Sequence, residues 1–141
     1  RDQQGIEETV IIDLRNNMER RTGLSVHWVA ITENDTFPCL SIRKTLLDPR
    51  HEMKKTTRFT LSVVVVSIYA ESYEQLEEIS DQLKDLYDER QALQPGQRPV
   101  TIAVDDEDDD ALPAADGSDD WIYEREITFR VHYKREPKTK R

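Results

Sequence analysis

The sequence predicts a two-layer α+β domain, a mostly antiparallel sheet of four to five strands with two helices on one face, in the order α-β-β-β-α-β-β. Three observations carry that expectation. The run from Arg58 to Tyr69 is dense in β-branched and aromatic residues and holds no Gly or Pro, as a central strand requires. A helix from Ser72 to Arg90 follows at once, its apolar residues recurring at helical spacing. The stretch Trp121 to Lys134 alternates apolar and polar residues, the pattern of a strand with one buried face.

In chain order, Ile6 to Thr22 reads as the first helix. Ile6, Val10, Ile11, Leu14 and Met18 lie on one side, Arg20 and Arg21 favour its end, and Gly23 terminates it. Leu24 to Thr32 is a strand, Glu33-Asn34-Asp35 a turn, and Phe37 to Arg43 a second strand with Pro38 near its start. Leu47 to Thr57 is a polar, basic-tinged loop. Three strands joined by loops favour a meander.

The central strand would span roughly 40 Å at the usual rise per residue. Leu61, Val63, Val65 and Tyr69 share one face and Thr60, Ser62, Val64, Val66 and Ile68 the other, so both faces should be covered in the middle. In the helix after it, Ser72 is an N-cap and Gln75 completes a capping box. Tyr73, Leu76, Ile79, Leu83, Leu86 and Tyr87 form its apolar stripe, and Pro95-Gly96 should end it. Val65 and Leu83, each mid-stripe, are expected to face one another. Arg98 to Val104 is a short strand leading into an acidic segment. In the last strand, Ile127, Phe129, Val131 and Tyr133 should point inward.

The chain of 141 residues fits one domain, residues 1–134, with a loose basic tail at 135–141. Beginning at Arg1 and not Met, it is expected to lack a few initial residues or to follow processing. A hydrophobic content of 36% beside a charged content of 35% leaves much of it solvated. The single Cys39 cannot close an internal disulfide, and no signal peptide or membrane-crossing apolar run is visible, so a soluble protein of a reducing cytoplasm is expected. The net charge of −9 is local: nine acids and no base lie between Asp105 and Asp120, and elsewhere 20 acids balance 20 bases. Residues 105–120 therefore read as a long, mobile acidic loop.

That segment is the first place to look for chemistry. Asp105 to Asp110 offers oxygen ligands suited to Ca²⁺ or Mg²⁺, but the spacing departs from an EF-hand loop, and a solvated loop is the simpler reading. His27, His51 and His132 are scattered away from other ligands, and Cys39 reads as a small buried residue. No phosphate loop, nucleophile elbow or His-Glu-x-x-His is present. The expectation is a protein without catalytic residues, metal or cofactor. Lys44, Arg50, Lys54, Lys55 and Arg58 cluster around one loop; a solvated loop or a contact with an acidic neighbouring subunit fits them better than nucleic acid, which the acidic segment would repel. The candidate interface residues are thus Arg50, Lys54, Lys55 and Arg58 on one side and Asp105, Asp106, Asp108, Asp109 and Asp110 on the other. The competing enzyme class is a small nuclease with Mg²⁺ on the acidic segment.

From Ile6 to about Tyr133 the chain resembles the tail terminator proteins of long-tailed bacteriophages. The resemblance rests on the opening helix, the Phe37-Pro38-Cys39-Leu40-Ser41-Ile42 strand start, the Arg58–Tyr69 strand with its Ser72–Arg90 helix, and the closing Trp121–Tyr133 strand. It implies a small α+β subunit that forms a hexameric ring, caps the tail tube, stops its growth and joins the tail to the head connector. The implied partners are further copies of the chain, the tail tube protein, the neck protein and, as an additional candidate, the tape measure protein, with DNA passing through unbound and no membrane involved. The implied location is the virion, after assembly in the host bacterial cytoplasm. The acidic segment has no counterpart in that pattern. Another neck or adaptor protein of the same particle is the nearest alternative.

Overall fold

The computed structural model describes residues 2–31, 36–45, 59–113 and 121–134. They form α1 (Asp2–Thr22), β1 (Val26–Trp28), β2 (Cys39–Lys44), β3 (Phe59–Ala70), α2 (Tyr73–Leu86), β4 (Arg90–Gln91), β5 (Val100–Pro113) and β6 (Trp121–Lys134). The fold is α+β, with both helices packed against one face of a six-stranded mixed sheet in the order β1-β2-β3-β6-β5-β4. The last strand has the bounds read from its alternation.

The sheet differs from a simple meander at both ends. β1 runs parallel to β2, with Val26 opposite Leu40, because the chain leaves the sheet immediately after Trp28. Val29 has φ 71°, and Ala30 N–H bonds back to Trp28 O at 2.7 Å, a γ-turn that a β-branched residue adopts only under strain. On the other side, β6 inserts between β3 and β5 and is antiparallel to both, so β3, α2 and β5 form a split β-α-β unit.

Helix ends follow their sequence signals closely. Gly23 (φ 74°) closes α1 through its N–H to Glu19 O at 3.0 Å. Ser72 caps α2 by accepting from Gln75 N, and Gln75 Oε1 reaches back to Glu71 N–H at 3.2 Å. Pro95-Gly96 does not end this helix, which stops at Leu86. It forms a tight turn instead: Gln97 N–H bonds to Gln94 O, with Gly96 at φ 82°. That turn is held to α1 by buried polar groups: Asn17 Nδ2 donates to Leu93 O at 2.8 Å, and the Gln94 and Gln97 amides donate to the Asp13 carboxylate. Tyr87 donates to Asn17 Oδ1 at 2.5 Å; burial pushes its phenol up to about 12, with nearby Arg21 and Arg20 opposing the rise.

The core lies between the helices and the β3 face that carries Val64, Val66, Ile68 and Ala70. Leu14 and Met18 of α1 and Leu76, Ile79 and Leu83 of α2 meet it, and Tyr87 sits edge-on to Phe129, centroids 6.3 Å apart. Val65 is buried too, but on the reverse face with Leu61 and Tyr69. The expected pairing of Val65 with Leu83 is therefore wrong by one residue: Val64 and Val66 face the helices, because their cross-strand partners Phe129 and Ile127 do.

Candidate functional site

The acidic segment is not a loop over its first half. Residues 105–113 continue β5, paired with β6 from Asp106↔Thr128 to Pro113↔Trp121; residues 114–120 lie outside the described residues. Pairing with β6 supplies the order that six consecutive acids would not supply alone. Arg50, Lys54, Lys55 and Arg58 also lie outside the described residues.

A β-bulge between Val104 and Asp106 decides what the acids can do. Before it, Ile102 and Val104 share the helix side of the sheet with Val131 and Phe129. One extra residue flips the alternation. Beyond the bulge, Glu107, Asp109 and Ala111 take the helix side, and Asp106, Asp108 and Asp110 the reverse. Asp105, at the bulge, pairs with Arg130 at 3.1 Å.

On the helix side the acids meet Arg125. It belongs to the same inward phase of β6 as Ile127 and Phe129, and it is 6% exposed. Its Nε and Nη2 form a fork on Asp109 at 2.6 and 3.0 Å, Nη1 reaches Glu77 at 2.5 Å and Glu107 at 4.0 Å, and Nη2 donates to Tyr73 Oη at 3.0 Å. Lys84 Nζ meets Glu107 Oε2 at 3.1 Å, and Ser80 donates to the other oxygen of that carboxylate. Tyr73, Glu77, Ser80 and Lys84 are spaced to lie on one face of α2. Glu77, Lys84, Glu107, Asp108, Asp109 and Arg125 line an open, polar cleft.

The electrostatics follow from this packing. Hydrogen bonds from Arg125 hold the Asp109 carboxyl below its ordinary range against a smaller desolvation effect, and Asp109 in turn makes Arg125 harder to deprotonate. On the reverse face, burial raises Glu124, helped by repulsion from Glu126 and Asp110. Its neighbour Tyr69 is also raised, by burial first, while hydrogen bonding to Ser41 opposes the shift.

This cluster can hold three elements together, tying α2, β5 and β6 through ion pairs and hydrogen bonds among its own groups. Among the described residues, no group of three or more His, Cys, Asp or Glu is placed to hold a metal ion, because alternate acids of a strand point to opposite faces. No described helix is long and apolar enough to cross a membrane. Cys39 is buried on β2.

Of the five acids singled out from the sequence, Asp109 is the one that pairs with Arg125; that arginine, Tyr73 beside it, and the surrounding Glu77, Lys84 and Glu107 were missed. A signal was present: Arg125 falls in phase with Ile127, Phe129, Val131 and Tyr133, and a charge in a buried stripe requires opposite charges around it. Searched against models of known protein families the chain matches none, and a search of curated proteins finds no match either.

Proposed function

We propose that the protein is a structural subunit of a phage tail, a terminator that assembles as a ring of six on the end of the tail tube and joins it to the neck. The observation that carries this reading is the β5 strand: a long, exposed acidic edge, fixed to the body of the domain by a buried arginine, is a surface built to be presented. The resemblance of element order to tail terminators supports the same reading, and so does a charged cluster that ties α2, β5 and β6 together. In the ring, the acidic strand lies at the rim against a basic loop of the next subunit, Lys54 and Lys55 included, or faces the channel and repels DNA phosphates. The tail tube and neck proteins are the partners, the assembled virion is the location, and DNA passes without specific binding. A neck adaptor of the same particle is the second reading, favoured by the same acidic edge.

The test is to mix the pure protein with growing tail tubes and examine the tube ends. Rings at the ends, with growth halted at a fixed length, are the expected result. Tubes that keep growing, with the protein monomeric beside them, overturn the proposal. Mg²⁺-dependent DNA cleavage lost on changing Asp108 and Asp109 to Asn would instead establish the nuclease alternative.

A further inference from the structure

Nothing among the described residues pairs with the outer edge of β5 over most of its length. Among the described residues its outer neighbour is β4, which pairs only with Val100 and Thr101. Glu89 O then takes Ile102 N–H at 3.0 Å, and Asp88 Oδ1 lies 3.4 Å from Val104 N–H. Further along, Ala111 N–H is taken by Asp110 Oδ1 at 2.8 Å, so it points away from β6. By the alternation of an antiparallel strand, Glu107 and Asp109 direct their backbone groups to the same outer side. Residues 105–111 are all exposed. Lone strand edges are templates for a further strand.

The side chains say what that strand should carry. Glu107 and Asp109 are occupied by Lys84 and Arg125. Asp106, Asp108 and Asp110 project from the reverse face at every second residue. The chain itself contains a segment of matching length and opposite charge: Arg135-Glu-Pro-Lys-Thr-Lys-Arg141 has four bases in seven residues, with Lys138 and Lys140 also at a spacing of two. Pro137 is tolerated in an edge strand. Within one chain this segment continues from β6 at the Thr101 end of β5 and would have to pass β4 to reach the acids. A second copy meets no such obstacle.

We infer that the free edge of β5 at residues 105–111 receives residues 135–141 of a second copy of the chain as an added strand, with Lys138 and Lys140 paired to the Asp106, Asp108 and Asp110 row. The inference rests on the assembling-subunit reading above and names the contact through which copies join. Backbone pairing sets the position, and the period-two charges set the register.

The experiment measures self-association of the full chain by sedimentation at low and high salt. It is repeated for a chain ending at Lys134, for the triple change Asp106→Asn, Asp108→Asn, Asp110→Asn, and for Ala111→Pro, which removes the outward N–H that an added strand would take over from Asp110 Oδ1. The expected result is salt-sensitive association, weakened roughly tenfold by the triple change, as a few exposed charge pairs would predict. Removing 135–141 should abolish it, and Ala111→Pro should weaken it. A labelled Arg135–Arg141 peptide should then bind the shortened chain more tightly than a scrambled peptide with its lysines adjacent. If the full chain associates and none of the variants changes that, the edge contact is wrong and the assembly reading stands. Equal binding of the scrambled peptide shows a loose counter-ion layer and also overturns the contact. If the chain stays monomeric even on tail tubes, both fail.

Discussion

In the basal half of the β5–β6 hairpin, Ile102 and Val104 lie opposite Val131 and Phe129 under the C-terminal end of α2. In the distal half the same face carries Glu107 and Asp109 opposite Ile127 and Arg125; Glu107 meets Ser80 and Lys84 in the C-terminal half of that helix, and Asp109 meets Tyr73 at its start. One ladder thus runs through two environments. The basal half is held by the removal of apolar surface from water, which is non-directional and not weakened by charge screening. The distal half is held by directed hydrogen bonds and ion pairs among carboxylates that remain partly exposed. A single bulge residue separates the two, which teaches that register, and not composition alone, determines which acids become partners.

The largest expected difference between the halves is in stability. Phe129→Ala should cost about 3–5 kcal/mol, since the ring is fully buried and leaves a cavity beside Tyr87. Denaturant unfolding measures it, and a cost below about 1 kcal/mol would erase the distinction.

Arg125→Met should cost less, about 2 kcal/mol, because the carboxylates left behind are a third to a half exposed and water can reach them. The loss should appear as faster amide exchange at 122–126, with residues 129–133 unchanged. Equal loosening of both halves would show that the hairpin opens as one unit.

Acid should separate the halves further. Asp109 is depressed below 3.8, so its stabilisation is complete above that value and is lost as pH falls through the lowered one. Glu124 is raised above 4.5, so its contribution is complete below that value and is lost as pH rises through the raised one. On lowering pH from neutrality, the distal half should first gain protection as Glu124 protonates, then lose it as Asp109 does. Amide exchange followed along the titration checks this; a monotonic profile would mean that one of the two groups does not couple to the hairpin.

The smallest effect should be Lys84→Gln. This pair with Glu107 lies near the surface, and its removal should cost about 0.5 kcal/mol and vanish at high salt.

Much of the fold was legible in residue patterns, because periodicity and capping are local. The bounds of β6, the Ser72 cap with Gln75, the Gly23 stop and the core positions of β6 all follow from neighbours within a few residues. The site was half legible. Asp105 to Asp110 stood out by composition, yet composition alone implied a loop, since repulsion between adjacent acids is a local effect and pairing with β6 is not. Likewise Arg125 could be seen as a charge in a buried phase, but not which acids it would meet.

By itself, then, the sequence determined an α+β chain with a central strand-helix pair, a neutral body and one strongly acidic stretch, because those properties are written in spacing and charge. Only the tertiary structure decided that β1 lies parallel to β2, that Val66 and not Val65 faces α2, and that the bulge before Asp106 turns Glu107 and Asp109 toward Arg125. Each of these depends on which strand lies alongside and in what register, and register is set by groups far apart in the chain.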